Sequence, residues 1–221
     1  MGASACVGGR LAVTLARTVV GRFIVLEGLD GAGTTTAAHA LTVALEQRGH
    51  TVVRTAQPSD RALGRAIRGY LRREGEPLDP RALALLFAAD RLDHLDHVIA
   101  PALARGEVVV CDRYVASSWA YQGLACPLPW VEAINSHARW PDLTCVLTVP
   151  PEVAAARVSA RATARGEAEE LFDALALQRR VAQSYAALVA SERPGVLSID
   201  ATTPIDAVAA AVLDAAIALG L

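Results

Sequence analysis

The stretch Phe23-Ile24-Val25-Leu26-Glu27-Gly28-Leu29-Asp30-Gly31-Ala32-Gly33-Thr34-Thr35-Thr36 constrains this chain more than any other. Its apolar start reads as a short strand buried on both faces, as in a parallel sheet. Glycines at 28, 31 and 33 let the backbone turn tightly and aim its N–H groups inward. An alanine-rich segment of helical character follows, so the turn ends at a helix N-terminus, where the dipole adds positive potential. Strand, glycine-rich turn and helix start together make an anion site. The spacing Gly28-x4-Gly33-x-Thr35 fits the phosphate-binding loop Gly-x4-Gly-Lys-Ser/Thr everywhere except at Thr34, which stands at the lysine. That lysine normally reaches the β- and γ-phosphates of a nucleotide. An ordinary glycine-rich turn is the competing reading, and the flanking strand and helix favour the phosphate loop over it.

Composition bears directly on Thr34. All 21 basic residues are arginine and the chain has no lysine, so the loop shares in a chain-wide absence. Any cation that replaces the lysine must be an arginine, whose wide planar fork suits position 34 itself poorly. At 221 residues and 53% hydrophobic content, the chain is long enough for one well-buried domain. No apolar run approaches the roughly 18 residues that span a bilayer. A net charge of −2 gives no overall basic footprint, so neither nucleic acid nor a membrane is expected as a partner. Cys6, Cys111, Cys126 and Cys145 show no metal-ligand spacing, and Cys111 and Cys145 read as small core residues in a reducing cytoplasm.

Strand-like and helical segments alternate from Arg22 onward. Strands are expected over 51–55, 107–112, 142–149 and 195–199, with helices over 35–48, 81–90, 91–105, 115–124, 169–191 and 204–219. Pro58-Ser59-Asp60 supplies a break and a cap for a helix running to about residue 73, and Pro101 should bend or shorten the 91–105 helix. Strands separated by helices imply a parallel sheet with both faces covered. The expected fold is therefore α/β: three layers, with a five-stranded parallel sheet flanked by helices. Residues 1–21 read as a flexible amino-terminal extension and 22–221 as the single domain. Arg17 interrupts the extension's apolar stretch, which argues against a secretory signal.

Ligands in such sheets bind beyond the carboxyl ends of the strands. Asp112 ends the strand 107–112 and can reach the edge where Thr35 lies, so Thr35 and Asp112 are a candidate magnesium pair. A plain helix cap is the alternative for Asp112. Tyr114, Ser117, Ser118 and Tyr121 share one helix face, with Gln122 at its border, a mixture unusual for core packing. Phe87 and Arg91 lie one turn apart and offer a stacking surface beside a guanidinium. Taken singly, they are an ordinary core aromatic and a solvated charge. Asp93, His94, Asp96 and His97 read as a solvated helix face rather than a metal site.

These residues carry a family resemblance. Glu27-Gly-Leu-Asp-Gly-Ala-Gly33, Leu86-Phe87-Ala88-Ala89-Asp90-Arg91 and Asp112-Arg113-Tyr114-Val-Ala-Ser-Ser-Trp-Ala-Tyr121-Gln122-Gly123 resemble thymidylate kinase. Pro141-Asp142-Leu143-Thr144, Pro150-Pro151-Glu152 and Ile199-Asp200-Ala201 are similar to later landmarks of that family, so the resemblance spans about residues 22–210. It implies that Phe87 stacks on thymine, that Arg91 hydrogen-bonds the base, and that Arg113 holds the acceptor phosphate. Ser117, Ser118, Tyr121 and Gln122 would line the nucleoside pocket, and Asp30 would sit near sugar and metal. ATP would lie on the loop Gly28, Leu29, Asp30, Gly31, Ala32, Gly33, Thr34, Thr35 and Thr36. Arg157, Arg161 and Arg165 precede the segment where the family has its lid. With Asp30 and Arg113, Arg161 and Arg165 complete the expected catalytic set; a solvated basic stripe is the alternative for the three arginines.

Two further departures accompany Thr34. Ala56-Gln57 stand where the family usually has Arg-Glu before a proline, and Asp173 stands where a lid-region glutamate is usual. The expected activity is phosphoryl transfer from Mg-ATP to dTMP, giving dTDP, in a cytoplasmic homodimer. A non-catalytic nucleotide-binding relative of this fold and a kinase for another nucleoside monophosphate are the alternatives.

Overall fold

The central strand is β1 (Arg22–Gly28), whose Phe23, Ile24, Val25 and Leu26 are at most 1% exposed. The computed structural model describes residues 21–72, 76–164 and 171–221; the rest of the amino-terminal extension, residues 1–20, lies outside them. Beside β1 run β3 (Val108–Asp112) and β4 (Leu143–Thr148), with β2 (Val52–Ala56) and β5 (Val196–Asp200) at the edges. All neighbours pair in parallel, in the order β2-β3-β1-β4-β5. The five-stranded parallel sheet is thus as expected, with each strand shifted by about a residue from its sequence estimate.

Both faces are covered. On one, Ala37, Ala38, Leu41 and Leu45 of α1 (Thr34–Gln47) and Val208, Val212 and Ala216 of α9 (Ile205–Ile217) join Ile24 and Leu26. On the other, Phe23, Val25, Val109 and Cys111 meet Ile99, Ala102, Leu103 and Val115. Each large apolar side chain so buried contributes about 1.5–3 kcal/mol over exposure.

Helix boundaries depart from expectation in three places. α2 (Ala62–Leu71) takes no side-chain cap from Ser59 or Asp60. Ser59 turns inward instead: its N–H and hydroxyl donate to Asp90 at 2.8 and 2.5 Å. The two helices expected over 81–105 are one, α3 (Pro80–His94), which passes into a π turn (Leu95–Ile99) and then α4 (Ala100–Ala104). Pro101 has no N–H to give the preceding turn, and a wide turn just before it accommodates this without ending the helix. α5 (Val115–Tyr121) is shorter than expected and tightens to a 3-10 turn at Gln122–Leu124. The remaining helices are α6 (Leu128–Ile134), α7 (Pro151–Ala164) and α8 (Leu171–Ala190).

Candidate active site

β1 delivers its chain into the phosphate loop at the carboxyl edge of the sheet. Gly31 has φ +92° and passes under α7 so closely that a Cβ would lie 2.3 Å from the Ala154 carbonyl oxygen. Gly33 precedes α1 at φ +97°, a left-handed conformation that side chains disfavour. Thr34 opens α1 and is 6% exposed. One residue on, the Thr35 hydroxyl donates to Asp112 Oδ2 at 2.5 Å. Asp112 therefore does not cap a helix; it spans from the end of β3 to the start of α1.

A cleft of about 350 Å³ opens on one side of the loop. Asp30, Asp112, Arg113, Ser117, Ser118, Tyr121 and Gln122 line it, and α3 adds Phe87 and Arg91. All the acceptor-side residues singled out in the sequence thus come together in one cavity. Gln57, Arg68 and Tyr114 also line it. Nine buried side-chain polar atoms lack a partner among the described residues. Gln57 Oε1, Arg91 Nε, Asp112 Oδ1 and the Tyr114 and Tyr121 hydroxyls are five of them, and all belong to residues of this cleft. Orphaned polar groups are rare in a folded interior, so their concentration here marks a place shaped for a polar ligand.

Arg91 is not the solvated charge that its position on a helix suggests. It is 1% exposed, and its Nη2 donates to the Tyr114 carbonyl (3.0 Å) and the Ser118 hydroxyl (2.9 Å) while Nη1 donates to Asn135. The guanidinium also stacks 5.3 Å from the Tyr114 ring centre. Burial lowers its pKa, while Tyr114 and Glu27 push the other way. Arg91 is a rigid wall of the cleft.

Arg113 is the cation at the junction of cleft and loop. Its φ of +68° is unusual for a residue with a side chain. Nη1 donates to the Gly28 carbonyl (3.0 Å) and the Ser117 hydroxyl (3.3 Å), and Nη2 to Asp30 Oδ1 (2.5 Å). Burial works against its charge, but Tyr121, Tyr185, Asp30 and Glu27 outweigh that and raise its pKa. Burial also pushes the Tyr121 hydroxyl up to about 12.

A second cleft, of about 410 Å³, opens on the other side of the loop, lined by Gly31, Ala32, Gly33 and Thr36 together with Arg157 and Arg161 of α7. Arg157 donates to the Gly31 carbonyl (3.4 Å) and the Ala201 carbonyl (3.1 Å). Arg161 is exposed at the rim. Arg165 and the Asp173 side chain lie outside the described residues.

The acidic and histidine cluster on α3 divides. Asp96 and His97 are solvated, and Asp93 pairs with Arg61. His94 is 1% exposed, with Nε2 2.7 Å from the Thr55 hydroxyl and Nδ1 3.2 Å from Gln57 Nε2. Because an amide nitrogen can only donate, Nδ1 accepts and the imidazole is neutral. Gln57, where the family has a carboxylate, thus matches an uncharged His94.

Sequence reasoning missed Gln57, Arg68, Asn135 and Tyr185 as site-bearing residues, and quoted Glu27 without a role. A carboxylate inside an apolar strand was the available signal for Glu27. Asn135 and Tyr185 carried none, because they reach the site only through the fold.

A loop for phosphates, with one cleft on each side and an arginine at the junction, suits an enzyme that joins two phosphorylated ligands. The thymidylate kinase family model matches residues 26–212. A probable thymidylate kinase of Pyrococcus abyssi is 44% identical over 172 residues, 75% of this chain and 81% of the relative. The thymidylate kinase of Solidesulfovibrio magneticus is 42% identical over 200 residues, covering 86% and 96%. That of Thermomicrobium roseum is 40% identical over 195 residues, covering 86% and 91%. With motifs, fold and site in agreement, the chain belongs to the thymidylate kinase family.

Proposed function

We infer that the protein transfers the γ-phosphoryl group of ATP to the 5′-phosphate of dTMP, giving dTDP and ADP. The observation that carries this is the pair of clefts meeting at one phosphate loop, with Arg113 between them. ATP lies along the loop from Gly28 to Thr36 with its base end toward Arg157 and Arg161. dTMP lies in the other cleft, its base between Phe87 and Arg91 and its phosphate at Arg113. Ser117, Ser118, Tyr121 and Gln122 enclose the nucleoside, and Asp30 orients Arg113 beside the sugar.

Phosphoryl transfer asks little covalent chemistry of the protein; it needs two anions held in line and their charge offset. The loop N–H groups and the start of α1 face the donor phosphates. Arg113 neutralises the acceptor, and Arg161 and Arg165 supply cationic charge from the donor side. Thr35 and the free oxygen of Asp112 fit a hard cation, which prefers oxygen ligands and retains several waters and substrate oxygens. When bound there, Mg2+ neutralises β- and γ-oxygens.

The reading includes a homodimer in the cytoplasm. Cys111, Cys126 and Cys145 are buried and unpaired, as in a reducing compartment, and no described helix is long and apolar enough to cross a membrane. The test is a coupled assay of ATP against dTMP, dUMP, dCMP, dGMP and dAMP, with dTMP expected to give the highest kcat/KM. Preference for another monophosphate, or turnover of none, overturns the assignment. Sedimentation of the same preparation checks the dimer.

A further inference from the structure

Glu27 ends the buried run of β1 and is fully shielded from solvent. Its carboxylate takes four hydrogen bonds. Oε1 accepts from the N–H groups of Tyr114 (2.8 Å) and Ser117 (3.2 Å), and Oε2 from the Ser117 hydroxyl (2.6 Å) and the Tyr185 hydroxyl (2.9 Å). Tyr185 comes from α8, 158 residues away in sequence, and is 3% exposed.

A serine hydroxyl has one proton. Once Ser117 gives it to Glu27, its oxygen can only accept, and Arg113 Nη1 lies 3.3 Å away as donor. Tyr185 Oη also stands 3.0 Å from the Ser117 oxygen and 2.9 Å from Glu27, closing a triangle of three polar groups. The carboxylate thus sets the direction of every bond in the chain. Tyr185 holds it in place from the opposite side. The same carboxylate pins the backbone just after Arg113, whose left-handed φ needs surroundings that over-determine it.

We propose that Glu27 and Tyr185 are positioning residues for Arg113, fixing through Ser117 where its guanidinium presents its remaining N–H groups to the acceptor phosphate. The proposal rests on the reading of Arg113 given above. Glu27 and Tyr185 touch neither nucleotide; they act through Ser117 and the start of α5. In-line transfer loses rate steeply with small displacements, whereas a phosphate can still draw a loosened arginine to itself on binding. The network should therefore appear in kcat more than in affinity.

The experiment is a double-mutant cycle between Tyr185→Phe and Arg113→Lys, reading kcat and dTMP dissociation constant separately. Tyr185→Phe keeps the ring and its packing and removes only the hydroxyl. Loss of one hydrogen bond to a buried carboxylate should lower kcat about tenfold and change dTMP affinity less than about threefold. In the Arg113→Lys background, where there is no guanidinium to aim, the same change should cost less than about threefold in kcat. Ser184→Ala, beside Tyr185 but outside the network, should leave kcat as in wild type. Equal losses in both Arg113 backgrounds, or a fall in melting temperature with kcat unchanged, overturn the inference. Wild-type turnover of dTMP, measured in the same series, tests the assigned reaction separately. If it is absent, the cycle is read in dTMP affinity by calorimetry, and additivity there overturns the inference.

Discussion

The Thr35 hydroxyl donates to one oxygen of Asp112 at 2.5 Å, and the other oxygen, Oδ1, is buried with no partner. One carboxylate and one hydroxyl are too few to hold a divalent cation alone, and no cluster of three or more acidic, histidine or cysteine ligands exists among the described residues. Mg2+ suits this incomplete set, because it binds through one or two protein oxygens and completes its shell with phosphates and water.

Removal of the charge at Asp112 is therefore expected to act through the metal. Asp112→Asn should lower kcat by about a hundredfold, the scale of losing one preorganised electrostatic group. It should also raise the Mg2+ concentration that gives half-maximal activity. Titration of activity against Mg2+ at saturating ATP and dTMP checks both; an unchanged midpoint would remove Asp112 from the metal site.

Arg91 and Phe87 should separate stability from recognition. Arg91→Ala empties a fully buried position and leaves Asn135, Ser118 and the Tyr114 carbonyl without their donor. The expected cost is about 3 kcal/mol of stability together with loss of preference for dTMP over dCMP and dGMP. Phe87→Ala, on a half-buried wall, should weaken dTMP binding about tenfold with a smaller fall in melting temperature. Calorimetric melting and monophosphate dissociation constants on both variants are the check. An Arg91→Ala protein that keeps full discrimination would place base reading elsewhere.

His94 gives a pH dependence with a definite sign. Burial lowers its pKa below the ordinary 6.5; Asp90, Asp93 and Asp60 oppose that, while Arg61 adds to it. A histidine with a depressed folded-state pKa binds its proton more readily when unfolded, so its stabilising contribution is present above pH 6.5 and lost as pH falls below it. Melting temperature should drop between about pH 7.5 and 5.5, before the carboxylates begin to titrate. His94→Gln should flatten that drop. Gln57→Glu should reverse part of it, because a carboxylate beside Nδ1 favours the charged ring. A wild-type melting temperature constant across this window would contradict the neutral pairing of His94 with Gln57.

The sequence made the centre of this molecule legible and its supports much less so. Gly28 to Thr36 could be placed because strand, turn and helix start follow one another in the chain, and each has a local signature. Asp112 could be paired with Thr35 because parallel sheets bring strand ends to one edge. Arg91 and His94 looked like solvated charges because helical spacing does not show which face a neighbouring element covers. Only the packing of Asn135, Tyr114 and Thr55 makes them interior residues. Tyr185 is the extreme case, since its contact with Glu27 exists only once α8 lies across α5. The expected break within 81–105 failed for a local reason, as one π turn absorbed the missing N–H of Pro101.

Thr34 offers the sharpest test of how the loop works. Without its lysine, the loop lacks a donor of a kind whose removal typically costs about 3 kcal/mol, or about a hundredfold in rate. Arg113 is already tied to the Gly28 carbonyl and Asp30, and Arg157 to the carbonyls of Gly31 and Ala201. Arg161 is exposed at the rim of the donor-side cleft, within the same lining as Gly33 and Thr36. It is the described arginine best placed to swing onto a transferring phosphate. Arg161→Ala is therefore expected to lower kcat at least about tenfold while changing dTMP affinity little, the pattern of an interaction made in the transition state. Thr34→Lys should raise kcat, and in that background Arg161→Ala should cost much less, because two cations would then serve one charge. The measurement is kcat for all four proteins of that cycle. Simple additivity would sink the substitution of lid for loop while leaving the kinase assignment standing. A wild type that turns over no monophosphate, and that Thr34→Lys does not rescue, would instead make this chain a nucleotide-binding relative without catalysis.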